Sequence, residues 1–114
     1  MGQVRAARRF IEGAVRSWGF DPTVAAMIVG ELATNAVVHG RTAFSVSLSD
    51  AHGNLRVEVA DQNPRVPSAT AQSPEARSGR GLHIVECLSV AWGVDPIPHE
   101  GKVVWAEFEA VAPY

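Results

Sequence analysis

The sequence predicts an α+β domain with helices on one face of a mixed or antiparallel sheet. Apolar residues recur at helical spacing up to residue 39 and again after residue 81, whereas they alternate with polar residues over 44–59 and 102–109. Blocks of helices and antiparallel strands favour a two-layer sandwich. A chain of 114 residues suits one core, so we expect a single small domain over residues 1–114.

Two helices are expected at the start of the chain. Over residues 4–18 the apolar positions share one face, and Gly19 can end this helix in a left-handed cap. Asp21 is a suitable N-cap for a second helix from Pro22 to His39, since proline is favoured at the first helical position. The second helix is apolar nearly all round, which indicates that it is buried.

Strands, a long loop and a third helix complete the domain. The loop, residues 61–79, contains three prolines and has no periodicity, and such loops are usually functional or mobile. The other elements follow from period-two alternation or from helical spacing. They are a hairpin with strands at 44–48 and 55–59 and a turn at 50–53, a helix at 81–91, and strands at 91–94 and 102–109.

The composition excludes several classes of function. A single cysteine, Cys87, rules out an internal disulfide and a multi-cysteine zinc site, and we expect it in the core together with the three tryptophans. A net charge of −2 argues against a broad basic surface for nucleic acid. No apolar run reaches the ~18 residues of a membrane helix, and the N-terminus lacks the apolar stretch of a signal peptide. We therefore expect a cytoplasmic protein.

Arginine accounts for nine of the ten basic residues. Four arginines lie on the outer faces of the first predicted helix, at positions 5, 8, 9 and 16. Such a charged face is either simply solvated or a docking surface for an acidic partner.

Glu31 and Asn35 are the polar residues that stand out in the second helix. They are four residues apart, so their side chains point the same way. Burying an unpaired carboxylate is costly, so this edge faces a partner, a solvent cleft or a metal ion. A carboxylate and an amide oxygen suit Mg²⁺; the alternative is a polar edge that meets water or caps a neighbouring element.

Two further features lie at the ends of the long loop. Asp61 lies where a strand ends, a usual place for a binding residue, although an aspartate there is also a common turn former. The segment Arg77-Ser-Gly-Arg-Gly81 precedes a helix, where glycines, arginines and a helix N-terminus suit phosphate oxygens. The alternative for this segment is a flexible hinge. Together the three features predict a nucleotide pocket in which separate groups bind the metal ion, the base and the phosphates.

The same segments resemble the motifs of the GHKL ATPases, the Bergerat-fold superfamily that includes gyrase, histidine kinases and MutL. Residues 31–40, ELATNAVVHG, resemble its N box. Asp61 lies where its G1 box has an aspartate, and residues 77–82, RSGRGL, resemble its G2 box. The closest resemblance is to the RsbW-type anti-sigma-factor serine/threonine kinases, which share the His-Gly end of the N box and a closing strand similar to residues 101–105.

The resemblance implies a Bergerat ATP-binding fold, with ATP and Mg²⁺ as cofactors and residues 61–79 as the ATP lid. Glu31 is the expected general base, Asn35 the expected Mg²⁺ ligand, and Asp61 the expected acceptor for the adenine amino group. These roles agree with phosphoryl transfer, which depends mainly on positioning and charge neutralisation. The other expected nucleotide-binding residues are Asn63, Arg77, Gly79, Arg80, Gly81 and Leu82.

Three departures from the family pattern stand out. The aspartate motif reads Asp61-Gln-Asn-Pro-Arg65, so both G1 glycines are missing, and Arg65 narrows the room near the nucleotide. Val103 takes the place where the family often has a threonine. The family also has a strand before its first helix, whereas this chain opens almost directly on a helix, so we expect a sheet one strand short or a trimmed chain.

The resemblance implies an ATP-dependent serine kinase that phosphorylates an anti-anti-sigma-like protein and sequesters a sigma factor. It implies no direct contact with nucleic acid or membrane, and, since the related kinases form dimers, a homodimer is one expected assembly. The broken G1 box favours an alternative. In that alternative the protein is a catalytically weak or inactive nucleotide-binding switch that acts by docking to other proteins.

Overall fold

Three α-helices lie on one face of a four-stranded antiparallel sheet in the part of the chain that the structure describes. The structure is a computed structural model, and it describes residues 2–40, 43–62 and 76–113, with the backbone alone at 39–40 and 76–81. The helices are α1 (Gly2–Ser17), α2 (Thr23–Asn35) and α3 (Ala76–Leu88), and a π-helical segment, Ala36–Gly40, continues α2. The strands are β1 (Phe44–Ala51), β2 (Asn54–Asp61), β3 (Ala91–Ile97) and β4 (Gly101–Glu109).

The sheet has the strand order β1-β2-β4-β3, and every neighbouring pair is antiparallel. β2 lies in the interior, where Val57 is opposite Leu48 of β1 on one side and Ala106 of β4 on the other. Side chains alternate between the faces of a strand, so Val57 is buried under the helices whereas Arg56 points to the outer face. The α+β sandwich that the sequence predicts is confirmed.

One hydrophobic core fills the space between the helices and the sheet. Its buried side chains come from all three helices and from the two central strands, β2 and β4. Full burial of one such side chain stabilises the fold by roughly 1.5–3 kcal/mol. The largest fully buried side chains are Ile11, Val15, Ile28, Val29, Leu32, Val57, Val59, Leu82 and Val85.

The predicted hairpin is confirmed, and it closes through the two-residue turn His52-Gly53. Both residues have positive φ angles, 55° and 89°, which a type I′ turn requires and which match the twist of the flanking strands. This turn sets the register of β1 on β2, and that register places Phe44 opposite Asp61 at the far end of the hairpin.

The start of α2 is held by Asp21. The helix begins at Thr23, one residue later than predicted, and Pro22 takes the N-cap position. The Asp21 carboxylate still accepts a hydrogen bond from the Thr23 N–H at 2.8 Å. Donation from the Thr23 side chain and from its N–H holds the pKa of Asp21 below its ordinary value.

Replacing Asp21 by alanine is expected to lower the Tm near neutral pH, because the Thr23 N–H at the start of α2 loses its acceptor. A carboxyl group whose pKa is lowered by folding stabilises the fold above its unfolded pKa, and this contribution disappears as the pH falls through its folded pKa. The Tm difference between Asp21→Ala and the wild type should therefore shrink in acid, as followed by circular dichroism. Thr23→Ala, which keeps the N–H donor, should give an intermediate difference. An Asp21→Ala difference that is independent of pH would contradict this role.

Several element boundaries differ from the predictions. α3 begins at Ala76, whereas the predicted helix begins at residue 81, so the last part of the predicted loop 61–79 is helical. β3 extends to Ile97 and includes Pro96, which is acceptable because β3 is an edge strand. Within the described residues, no helix is long and apolar enough to cross a membrane.

The predicted core positions of Cys87 and of two tryptophans are wrong. Cys87 is exposed because α3 turns Leu82 and Val85 toward the core and Cys87 away from it. Trp18 lies just after the last turn of α1 and is 45% exposed. Trp105 alternates with the buried Val104 and Ala106 along β4 and therefore lies on the outer face of the sheet.

Trp105 forms the centre of a packed cluster on that outer face. Its ring lies against its cross-strand partner Gly93, where a Cβ atom would come within 2.8 Å of the ring. The Arg56 guanidinium covers the ring at 4.2 Å from the centroid, and it pairs with Glu58 and Glu107 at 2.7 Å each. Burial by itself lowers the pKa of Arg56, but the hydrogen bonds to Glu107 and Glu58 outweigh it and raise that pKa. The cluster ties β2 to β4 on the face opposite the core.

Candidate functional site

The polar edge of α2 carries Glu31 and Asn35 on consecutive turns. Asn35 is buried, with 7% of its surface exposed, whereas Glu31 is half-buried. Among the described residues, the Asn35 Nδ2 atom has no hydrogen-bond partner, although buried amide donors are normally paired. Thr34, between them, donates from Oγ1 to the Gly30 carbonyl at 2.7 Å. A ligand at this edge would satisfy the Asn35 amide.

The helix changes geometry directly after Asn35. Residues Ala36–Gly40 form a π-helical segment, and such segments are rare and often lie at functional sites. Ala36 itself keeps ordinary α-helical angles, so the last α-helical turn, which carries Asn35, is undistorted. Asn35 therefore lies in the last α-helical turn, immediately before an irregular one.

Asp61 forms a buried ion pair with Lys102. The two residues are opposite each other in the register of β2 and β4, and both point to the helix-covered face of the sheet. The Lys102 Nζ atom lies 3.1 Å from the Asp61 Oδ1 atom, and the two side chains are 5% and 2% exposed. A buried charge is tolerated when it is paired, and here each residue is the ion-pair partner of the other. The predicted base-binding carboxylate thus has a cation beside it.

Gly101 holds the backbone around Asp61 in place. Its φ angle is +117°, a conformation that other residues rarely adopt. A Cβ atom at this position would overlap the Asp61 carbonyl oxygen and would lie 2.6 Å from the Gln62 Cα atom. The start of β4 therefore lies directly against the end of β2, and only glycine fits between them.

The predicted phosphate-binding segment lies in the first turns of α3 rather than before the helix. Arg77 and Gly79 are among the first four residues of α3, whose N–H groups have no partner within the helix and can face an anion. Arg80 and Gly81 lie in the next turn of α3, whereas we predicted them at its N-terminus. Leu82 is fully buried in the core, which leaves only its backbone for a nucleotide contact.

Other predicted features lie outside the described residues. Asn63 and Arg65 belong to the segment 63–75, so their predicted roles and that of most of the 61–79 lid stay predictions. The structure likewise describes only the backbone of Arg77 and Arg80. The single-domain boundary at 1–114 likewise stays a prediction.

The donor set fits Mg²⁺ only in combination with a nucleotide. No group of three or more His, Cys, Asp or Glu side chains that could hold a metal ion occurs in the described ranges 2–40, 43–62 and 76–113. Asn35 supplies one amide oxygen, and Mg²⁺ is typically held by one or two protein oxygens together with phosphate oxygens and water. The unsatisfied atom of Asn35 is the Nδ2 donor, which suits an acceptor oxygen of a ligand and not the metal ion itself.

The structure places the three principal candidates on one side of the sheet. α2 packs across β2 and β4, so Glu31 and Asn35 lie in the same layer as the helix-facing Asp61. The first turns of α3 belong to that layer too, because α3 packs on α2. Glu31 and Asn35 thus lie on the helix that packs on the strands of Asp61 and Lys102, and α3 packs on that helix.

Lys102, the ion-pair partner of the candidate residue Asp61, is the residue that the sequence analysis missed. A signal for it existed, because Lys102 falls in the same alternation as the apolar residues Val104, Ala106 and Phe108. Period-two alternation places it on the core face, where a lysine requires an acidic partner. Asp61, at the end of the neighbouring strand, was the available acid.

A comparison with known families agrees with this geometry. The sequence model of the histidine kinase-like ATPase domain matches residues 1–108, almost the whole chain. This match supports ATP binding and a kinase-like ATPase function of the GHKL type. A search of curated proteins found no match to the chain.

Proposed function

Because the chain belongs to the histidine kinase-like ATPase domain family, we propose that it is an ATP- and Mg²⁺-dependent serine kinase of the anti-sigma-factor type. In this proposal it phosphorylates an anti-anti-sigma-like protein and sequesters a sigma factor in the cytoplasm. The observation that carries the proposal is the buried Asn35, whose Nδ2 atom has no partner among the described residues, one turn away from Glu31.

Each residue has a defined part in the proposed reaction. Asp61 accepts a hydrogen bond from the adenine amino group, and the N-terminal N–H groups of α3 hold phosphate oxygens. Asn35 offers its amide oxygen to Mg²⁺, which neutralises phosphate charge when bound. Glu31 accepts the proton of the attacking serine hydroxyl while the new O–P bond forms and the bond from the γ-phosphorus to ADP breaks.

The outer surface of α1 is the proposed contact for an acidic protein partner. Arg5, Arg9 and Arg16 are exposed along it, and Glu12 is the only acidic residue of the helix. Opposite charge at an interface mainly speeds association and selects the partner. A homodimer is also part of the proposal, by analogy with the related kinases.

Nucleotide binding is tested by isothermal calorimetry with ATP and Mg²⁺. The wild type should bind, and Asp61→Asn should bind at least about tenfold more weakly, since a hydrogen bond to a charged acceptor is worth ~1.5–3 kcal/mol. Glu58→Gln is the matched control, because Glu58 lies on the same strand but faces the opposite side of the sheet. Absence of ATP binding by the folded wild type would refute the proposed function.

Catalysis is tested by transfer of labelled phosphate to a candidate partner protein. Glu31→Gln should lower the transfer rate by about 10²–10⁴-fold, the usual contribution of a general base. It should leave ATP affinity nearly unchanged, because Glu31 acts on the hydroxyl and not on the nucleotide. Transfer that persists at the wild-type rate in Glu31→Gln would remove this residue as the base.

A nucleotide-binding switch without catalysis is the second candidate. Two observations favour it: both G1 glycines are missing, and the Asp61 carboxylate is held by Lys102 and is only 2% exposed. Tight ATP binding with no phosphate transfer and no hydrolysis would favour the nucleotide-binding switch over the kinase.

A further inference from the structure

We infer that two copies of this chain associate through the edge of the sheet that β1 forms. In this arrangement a two-fold axis perpendicular to the sheet passes near the middle of β1, so the two β1 strands pair antiparallel. Two four-stranded sheets then become one continuous sheet, with the helices of both copies on the same face. The inference names the surface for the homodimer of the proposed function, but it does not depend on nucleotide binding.

An apolar groove lies along this edge, between α1 and β1. Its volume is about 850 Å³, and its lining includes Phe10 of α1, Val37 of the π-helical segment, and Phe44 and Val46 of β1. Grooves of this volume hold small organic molecules, so there is room for an aromatic ring. Phe10 is itself 56% exposed. The edge therefore carries both an apolar groove and an exposed aromatic side chain, and a two-fold axis can place each Phe10 ring in the groove of the other copy.

β1 lacks the features by which edge strands usually avoid pairing with other strands. Natural edge strands carry charged side chains, prolines or bulges. β3, at the opposite edge, contains Asp95 and Pro96. β1 pairs with β2 over its whole length without a bulge, contains no proline, and has no charged residue before Asp50. Within residues 2–40, 43–62 and 76–113, β2 is the only strand that pairs with β1. Of the two edges, β1 is therefore the one open to a further strand.

The side chains along this edge are uncharged in the helix layer as well. Gln3, Ala6 and Gly13 share a face of α1 with Phe10. The arginines of α1 lie at least about 100° around the helix from Phe10. Depletion of charge is typical of the centre of protein interfaces. Two copies can therefore meet here without like-charge repulsion, and the arginine surface stays open to the acidic partner of the proposed function.

The edge is large enough for a specific dimer. β1 has eight residues, and at ~3.4 Å per residue it is about 27 Å long. The sheet and the helices over it form two layers, each about 10 Å thick. Contact along this edge would bury roughly 1,100 Å² over both copies, and specific interfaces begin near ~1,000 Å².

The first test is the mass of the unmodified protein in solution, measured by sedimentation equilibrium and combined with a titration of ATP. The wild type should be a dimer both with and without ATP. A wild type that stays monomeric at its highest soluble concentration would overturn the inference and would leave this edge to a strand of another protein. A dimer that binds no ATP would refute the proposed function alone, whereas a monomer that binds ATP would refute this inference alone.

Substitution of Phe10 then tests the groove. Phe10→Glu should raise the Kd of the dimer by about 30-fold or more, the usual effect of losing a central aromatic contact. Val90→Glu is the matched control, because Val90 is also 56% exposed but precedes β3 at the opposite edge. It should leave the Kd unchanged. Both side chains are exposed, so both variants should fold, which circular dichroism checks. An unchanged Kd in Phe10→Glu would overturn the inference.

Opposite charges at Ser47 test the strand pairing itself. Ser47 is exposed near the middle of β1, on the face of the sheet opposite the helices, so its substitution leaves the core unchanged. Ser47→Lys and Ser47→Glu should each weaken the dimer ~2–5-fold, because like charges then face each other across the two β1 strands. An equimolar mixture of the two variants should recover the wild-type affinity. A mixture that associates as weakly as either variant alone would overturn the pairing of β1 with β1.

Discussion

Gly101→Ala is expected to destabilise the domain by more than about 4 kcal/mol, or to prevent folding, because two effects combine at this position. The residue has a φ angle of +117°, which strains any residue with a Cβ atom. The new Cβ would also overlap the Asp61 carbonyl oxygen and lie 2.6 Å from the Gln62 Cα atom. These are backbone atoms of the neighbouring segment, so they cannot move aside as the end of a flexible side chain would.

The measurement is urea unfolding followed by circular dichroism, with Gly53→Ala as the control. Gly53 also has a positive φ, +89°, but a Cβ atom there would meet nothing within 4 Å. Its substitution should therefore cost only the backbone strain, about 1–2 kcal/mol. Similar losses in the two variants would show that the close approach to β2 is unimportant.

Lys102→Met is expected to cost about 3 kcal/mol of the free energy of unfolding. Removal of one partner from a buried ion pair is strongly destabilising, because the remaining charge stays in the interior without the ion that compensated it. Here the remaining group is the Asp61 carboxylate, which is 2% exposed. Urea unfolding of the variant, read as the shift in the midpoint at constant m-value, measures the loss.

Two further variants separate the ion pair from ordinary packing. Arg56→Met breaks an ion pair between the same strands on the outer face, where the side chains are 21% and 24% exposed, and should cost less, about 1 kcal/mol. The double variant Asp61→Leu/Lys102→Met removes both buried charges and should recover most of the loss. A double variant as unstable as the sum of its single changes would contradict a buried ion pair.

Much of the fold was predictable because it follows from local pattern. The alternation at Val57 and Val59 and the positive-φ turn at Gly53 determine the hairpin, and the apolar face of α1 determines its packing. The start of α3 was misplaced because three prolines and the lack of periodicity extended the predicted loop to Gly79. Glycine costs only about 1 kcal/mol within a helix, and burial of Leu82 and Val85 outweighs that cost.

The site was predictable only where residue type alone identified a role. Glu31, Asn35 and Asp61 stand out as polar residues in apolar elements, but the partner of Asp61 depends on how β4 is aligned with β2. That alignment joins distant parts of the chain, and no local pattern specifies it. The same limitation explains the wrong prediction for Trp105. Its large apolar side chain suggested a core position, but it lies on the outer face of the sheet, opposite Gly93.

The order of strands in the sheet also has a consequence for how the chain folds. The paired residues of β1 and β2 are close in sequence, so this hairpin can form within microseconds. β2 pairs on its other side with β4, where Val57 meets Ala106, roughly fifty residues further along. Such distant pairings form late because long segments must first be brought together. Until β4 pairs with β2, the backbone N–H and C=O groups along one edge of β2 are unpaired. The folding chain is most prone to aggregate at this stage.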